Sequence, residues 1–170
     1  MNLKPVIRAF DQLKAEGVIK GYALGGAMAS IFYVEPFLTY DIDLFIALAQ
    51  PPKTLIDLSP VYRRLEELGH QPVGEHIQVE DNPVQLLVPA DALDTEAMHE
   101  AQPLSYAGLT VKVFLPEHLL AIYLKVNRPK DRLKCQLLLD SGVLDLKRFE
   151  GIVTRHHLED QWNRVRRSQS

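Results

Sequence analysis

The chain has 170 residues, of which 46% are hydrophobic and 24% are charged, and its formal net charge is −3. These values are typical of one globular domain with a sizeable core, and they exclude disordered, collagen-like and low-complexity proteins. The single cysteine, Cys135, excludes an internal disulfide framework and a cysteine-rich zinc site. The sequence contains no apolar run of about 18 residues and no signal-peptide pattern, so we expect a cytoplasmic protein that does not enter the membrane.

The hydrophobic pattern predicts alternating helices and strands, followed by helices alone. In chain order the periodicity indicates a helix over 3–16, a strand over 19–24, a helix over 27–34, a strand over 41–48, a helix over 60–69, strands over 73–79, 83–88 and 109–114, and helices over 116–127, 130–140, 145–155 and 158–167. The predicted class is α/β (α+β), with a mixed sheet flanked by helices. We expect a sheet core over 1–115 and a helical C-terminal part over 116–170, packed as a single compact unit.

The stretch from Leu24 to Phe45 contains the strongest functional pattern of the sequence. A predicted strand runs into Gly25 and Gly26, a helix follows, and the next strand contains Asp41 and Asp43. Two glycines let the backbone approach a ligand, and a turn that opens a helix offers free N–H groups to phosphate oxygens. Residues i and i+2 of a strand share a face, so the two carboxylates lie side by side and favour a cation such as Mg²⁺ or Mn²⁺.

This stretch resembles the nucleotidyltransferase superfamily of polymerase-beta-like enzymes. Within it, the chain is most similar to the short bacterial minimal and abortive-infection-toxin nucleotidyltransferases. The residues that match the family pattern are Leu24-Gly25-Gly26, Thr39, Asp41-Ile42-Asp43-Leu44 and the Lys130-Asp131 pair. The resemblance implies a nucleotidyltransferase-like sheet, two Mg²⁺ or Mn²⁺ ions, and a nucleoside triphosphate (NTP) as donor substrate.

The resemblance also implies roles for particular residues. Asp41 and Asp43 would be the catalytic, metal-binding carboxylates. The nucleotide would be bound by Gly25, Gly26, Thr39, Lys125 and Lys130. The acceptor would be a hydroxyl of RNA or of a protein, and a partner encoded next door would fit a toxin–antitoxin pair.

One departure from the family pattern bears on activity. The family places a third carboxylate on a later strand, where this chain has Gln85. A glutamine carbonyl can contact a metal, but it carries no charge and cannot act as a base. If the register differs, Glu80 or Asp81 would take that place. The sequence therefore leaves two functions open: a metal-dependent nucleotidyltransferase impaired at Gln85, and a non-catalytic nucleotide-binding or partner-binding module of the same fold.

The C-terminal third is basic. Residues 1–122 contain 8 lysines and arginines against 16 aspartates and glutamates, whereas residues 123–170 contain 11 against 6. Five of these basic residues cluster around Asp131, namely Lys125, Arg128, Lys130, Arg132 and Lys134. The cluster either contacts a triphosphate or RNA backbone, or it is a solvated basic helix face. Outside this cluster, we predict that Cys135 is buried in the core or half-buried, and that His156 and His157 lie on the surface.

Overall fold

A computed structural model of the chain describes residues 1–34, 39–49 and 56–168. Within these ranges the chain forms seven strands and eight helices. In chain order they are α1 (Leu3–Ala15), β1 (Ile19–Leu24), α2 (Gly26–Ser30), β2 (Ile42–Leu48), α3 (Ser59–Glu67), β3 (Gln71–Val73), β4 (His76–Val79), β5 (Asn82–Leu87), α4 (Ala92–Glu100), β6 (Gln102–Tyr106), β7 (Leu109–Val113), α5 (Pro116–Val126), α6 (Pro129–Asp140), α7 (Leu146–Arg155) and α8 (Glu159–Ser168).

The strands form one mixed sheet in the order β3-β4-β5-β2-β1-β7-β6. Strand β2 lies near its centre, antiparallel to β1 and parallel to β5. The hairpins β3-β4 and β6-β7 form the two edges of the sheet. This mixed α/β architecture confirms the predicted fold class.

One face of the sheet packs into the core, and the other carries the polar residues of β2, β4 and β5. In β2, Ile42, Leu44 and Ile46 are fully buried, and the apolar stripe of α1 belongs to the same hydrophobic core. Strands β4 and β5 alternate strictly between buried and half-buried positions. Since successive side chains of a strand point to opposite faces, the half-buried residues of these strands share the face that carries Asp43.

Of the four helices described after residue 115, α6, α7 and α8 pack around α5. This helix contacts α6, α7 and α8 and also reaches α2 and α4 beside the sheet. The rings of Phe149 in α7 and Trp162 in α8 meet edge to face at 5.0 Å. The division into a sheet core over 1–115 and a helical part over 116–170 stays a prediction. In the described part of the chain, no helix is long and apolar enough to span a membrane.

Several predicted elements differ from the observed ones. The strand predicted over 73–79 is two strands, because the chain turns at Gly74, whose φ is +62°. The helix predicted over 27–34 ends at Ser30 and continues as turns. Helix α4 and strand β6 are not predicted at all. Helix α4 has almost no amphipathic pattern, and it begins instead at the cap in which the Asp91 side chain accepts the Asp94 N–H.

Candidate functional site

The Gly25-Gly26 turn joins β1 to α2 and packs directly against β2. The Gly25 N–H donates to the Asp43 carbonyl at 3.0 Å. Gly26 has a φ of +54°, and a Cβ atom at this position would overlap the Asp43 carboxylate. A Cβ atom on Gly25 would lie 2.5 Å from Cε2 of Phe45. Both positions therefore require glycine for the packing of the turn itself, before any ligand is considered.

Asp41 and Asp43 lie on the same face at the start of β2. Asp41 is the residue before the strand, and its carbonyl accepts the Thr39 hydroxyl at 3.1 Å. The Asp43 carboxylate is half-buried between β2 and Gly26. Thr39 thus fixes the backbone that leads into the carboxylate pair, and its contact with a nucleotide stays a prediction.

Burial and repulsion destabilise the charge on Asp43. Desolvation raises the pKa of its carboxyl, and the neighbouring Asp41 carboxylate raises it further. Three basic side chains act in the opposite direction, in the order Lys134, Arg128 and Lys130. The negative charges of Asp41 and Asp43 therefore lie close to the basic side chains at the start of α6.

The sheet register sets Gln85 beside Asp43. The parallel strands β2 and β5 pair Asp43 with Gln85 and Ile42 with Val84. Glu80 and Asp81 form the exposed turn before β5 and lie outside the residue pairs of β2 and β5. The residue paired with Asp43 is thus the glutamine, as the resemblance implies.

His76 is a site neighbour that sequence reasoning missed. Its Nε2 atom lies 3.6 Å from Oδ2 of Asp41, and the side chain is 24% exposed. The signal that could have found it is the alternation of β4, because Ile77 and Val79 are fully buried and His76 must therefore face the other side.

The basic cluster divides into two groups. In the first, Lys134 lies 3.7 Å from Asp131 and 5.0 Å from the centre of the Tyr123 ring, and burial lowers its pKa. Arg128 holds the same Asp131 at 2.7 Å, so both cations are positioned at the end of α6 nearest Asp43. Lys130 is exposed and contributes to the potential at Asp43.

Lys125 belongs to the second group. Its ammonium pairs with Asp91 at 2.6 Å and with Asp94 at 3.1 Å, both at the start of α4. Contact of Lys125 with a triphosphate stays a prediction, and it would require these ion pairs to open. Sequence reasoning did not anticipate the ion pairs because α4 itself was not predicted.

Ser30 and Tyr123 connect the glycine turn to the helical part. The two hydroxyls are 2.8 Å apart, and the Ser30 hydroxyl also donates to the Gly26 carbonyl at 3.3 Å. Both side chains are buried. This hydrogen bond links α2 to α5. Helix α5 packs in turn against α6, which contains basic residues that act on Asp43.

A second cluster of ligand-type side chains lies between α4, α5 and α7. Within the described ranges, Glu96, Glu100 and His118 are the one set of three whose ligand atoms lie within 4.8 Å of one another, and they could hold a divalent cation. The Glu96 carboxylate already accepts a hydrogen bond from the Arg155 guanidinium at 2.5 Å, and its other oxygen lies 2.7 Å from Nε2 of His156. The imidazole of His156 is 11% exposed against Glu96, deeper than the surface position predicted for it, whereas His157 is exposed as predicted.

The chemistry of the donors around Asp41 fits a cation. Two carboxylates share one face, burial and their mutual repulsion raise the pKa of Asp43, and the enclosed Nε2 of His76 has no hydrogen-bond partner in the described part of the chain. Carboxylate oxygens suit Mg²⁺ and Mn²⁺, and a positive ion would relieve the repulsion.

Comparison with solved structures gives the fold a name. The chain is similar to ANT(2″)-Ia in complex with adenylyl-2″-tobramycin, with a TM-score of 0.56 and 18% identity over 92% of this chain and 97% of that one. It is also similar to an antigenic nucleotidyltransferase-like protein from Paracoccidioides brasiliensis, with a TM-score of 0.59 and 16% identity over 91% and 86% of the two chains. The solution structure of the antibiotic-resistance factor ANT(2″)-Ia has a TM-score of 0.51 at 16% identity, over 98% and 96%.

No family model and no curated protein matches the sequence. At these identities the similarity concerns the fold, and the chain has the nucleotidyltransferase fold. The resemblance expected from the glycine turn and the Asp-Ile-Asp motif is confirmed at that level.

Proposed function

We propose that the protein is a metal-dependent nucleotidyltransferase that moves a nucleoside monophosphate from an NTP to an acceptor hydroxyl. The observation that carries this proposal is the position of Asp43, which contacts Gly26, has Asp41 as a neighbouring carboxylate and lies within the field of Lys134, Arg128 and Lys130. The nucleotidyltransferase fold supports it.

Each part of this arrangement has a function in the proposal. Asp41 and Asp43 would hold divalent cations, which neutralise charge on the phosphates and on the attacking oxygen. The Gly25-Gly26 backbone would lie near the triphosphate, since Gly26 lies against the Asp43 carboxylate. Lys134, Arg128 and Lys130 would attract the phosphates and stabilise the leaving pyrophosphate.

Three classes of acceptor are compatible with this proposal: RNA, a partner protein and a small molecule. The basic C-terminal part suits an RNA backbone, and a partner protein encoded beside this chain would suit a toxin–antitoxin pair. The adenylyl-2″-tobramycin bound to ANT(2″)-Ia adds a small-molecule hydroxyl to the acceptors worth testing.

The test is transfer of label from an NTP labelled at the α-phosphate. The purified chain is incubated with Mg²⁺ or Mn²⁺ and each NTP, with total RNA, the neighbouring protein or tobramycin as acceptor, and released pyrophosphate is measured. We expect transfer that is lost in Asp43→Asn and kept in Asp160→Asn, an exposed carboxylate on α8. Equal transfer by both variants would show that Asp43 is not the catalytic carboxylate.

Gln85 favours a second candidate function. Because a glutamine stands beside Asp43 where the family has a carboxylate, the chain would bind an NTP or a partner without turnover. In that case, an NTP with Mn²⁺ raises the melting temperature while no label is transferred to any acceptor.

A further inference from the structure

Three polar side chains line up across the strands beside the Asp41 site. Asp43 of β2 is paired with Gln85 of β5, and β5 pairs antiparallel with β4 through Val84 and Ile77. Continuing that register by one residue sets His76 opposite Gln85. Paired residues of neighbouring strands share a face, so His76 lies on the face that carries both aspartates.

The imidazole of His76 has an enclosed nitrogen with no hydrogen-bond partner in the described part of the chain. Its Nε2 atom is shielded from solvent, and Oδ2 of Asp41, at 3.6 Å, is beyond hydrogen-bond distance. A buried polar atom without a partner has lost its hydration with nothing in return, so a ligand at this atom would be favourable. Two other enclosed nitrogens, those of His118 and Trp162, also have no partner, but neither is paired with Asp41 or Asp43.

The spacing between His76 and Asp41 suits two ligands of one metal ion. With metal–ligand bonds of about 2.1–2.2 Å and the right angles of octahedral coordination, two adjacent ligand atoms lie roughly 3.0 Å apart. The observed 3.6 Å is longer, so a small movement of the His76 side chain would bring its Nε2 and Oδ2 of Asp41 to ligand spacing. The ligand atoms of Asp41, Asp43 and His76 do not all lie within 4.8 Å of one another, so Asp41 and His76 are the pair nearest to ligand spacing.

We propose that His76 is a direct ligand of the cation held by Asp41, and that it takes over the coordination lost by having Gln85 in place of a carboxylate. The proposal rests on the proposed function only in placing the metal at Asp41. It has a consequence for metal choice. Imidazole nitrogen is a poor ligand for Mg²⁺ and a good one for first-row transition ions, so the site would prefer Mn²⁺ or Co²⁺ to Mg²⁺.

The experiment detects the nitrogen itself. Mn²⁺ is added alone to the full chain, binding is followed by loss of the free-ion electron paramagnetic resonance signal, and spin-echo modulation reports any directly coordinated imidazole ¹⁴N. We expect ¹⁴N modulation in the parent, and its loss in His76→Ala and His76→Asp. His76→Asp should still bind Mn²⁺, with the preference for Mn²⁺ over Mg²⁺ reduced about tenfold or more.

Two control variants address other imidazoles that could bind Mn²⁺. His70→Ala removes a half-buried histidine that precedes β3, and Glu100→Gln removes a carboxylate of the cluster that contains His118. Both should keep the modulation. Bound Mn²⁺ without ¹⁴N modulation, modulation that persists when His76→Ala is combined with Glu100→Gln, or no bound Mn²⁺ at all would each overturn the proposal.

The outcome is separable from that of the proposed function. Modulation that depends on His76, together with no label transfer from any NTP, supports the ligand and contradicts the enzyme. Label transfer that depends on Asp43, in a parent without modulation, supports the enzyme and overturns the role of His76.

Discussion

Gly26 and Asp43 are in such close contact that the carboxylate occupies the space a Cβ atom on residue 26 would need. Gly26 also has a φ of +54°, in the region that favours glycine. The contact fixes the glycine turn against β2, and with it the position of the first turn of α2 relative to the carboxylate pair.

Gly26→Ala should therefore destabilise the fold by more than the backbone strain alone. Gly17→Ala is a matched control, because Gly17 has a φ of +74° and no atom within 4 Å of an added Cβ. We expect Gly17→Ala to cost about 1–2 kcal/mol and Gly26→Ala to cost a further 1–3 kcal/mol or so, as measured by urea unfolding. Adding Asp43→Ala should remove the excess, and equal costs for the two single variants would contradict the contact.

Asp43→Asn should stabilise the metal-free protein. Burial and the Asp41 carboxylate raise the pKa of Asp43, so its charged form opposes folding above that pKa. Removing the charge should add about 0.5–2 kcal/mol to the free energy of unfolding at neutral pH, measured by denaturation in the presence of a chelator. The gain should shrink as the pH falls from the raised pKa towards the ordinary value of 3.8.

Asp57→Asn is the control for that prediction. Hydrogen bonds from Ser59 lower the pKa of Asp57, so its charge favours folding, and the variant should give no gain in stability. A gain at Asp57 equal to the gain at Asp43 would show that the effect comes from the overall charge of the protein.

The parts of the fold that the sequence predicts are those with strong local patterns. Strand β1 has the predicted bounds, Ile19–Leu24, since its apolar residues are bounded by a glycine turn on each side. The aspartates at i and i+2 could be placed on one face by strand geometry alone. Helix α4 could not be predicted, because its buried face is only Leu93, Asp94 and Ala97.

Contacts of the site between residues far apart in the sequence cannot be predicted from a local sequence pattern. His76 reaches Asp41 through the pairing of three strands, and Lys125 reaches Asp91 across two elements. Gly26 also has a different explanation from the one its motif suggests. Its lack of a side chain is required by Asp43, so a loss of NTP affinity in a Gly26 variant would not by itself demonstrate phosphate contact.

Cys135 should be unreactive in the native protein. It is 4% exposed, which confirms its predicted place in the core, and burial raises the pKa of its thiol to about 12. At pH 8 the thiolate fraction should be on the order of a thousandfold below that of an ordinary thiol with a pKa of 9.0. Labelling with iodoacetamide should therefore be rapid in urea and negligible without it, and rapid native labelling would contradict the packing around α6.

Gln85→Asp should strengthen cation binding and raise transfer. The register sets residue 85 beside Asp43, so a carboxylate there would add a third acidic ligand next to the pair. We expect the parent to transfer label more slowly than the usual 1–10³ s⁻¹ or so, and Gln85→Asp to be faster with tighter metal binding. Gln71→Asp makes the same charge change at an exposed position of β3, and it should leave both quantities unchanged. If the parent already turns over at ordinary rates, and neither Gln85→Asp nor Gln85→Ala alters that rate, residue 85 is not a ligand position.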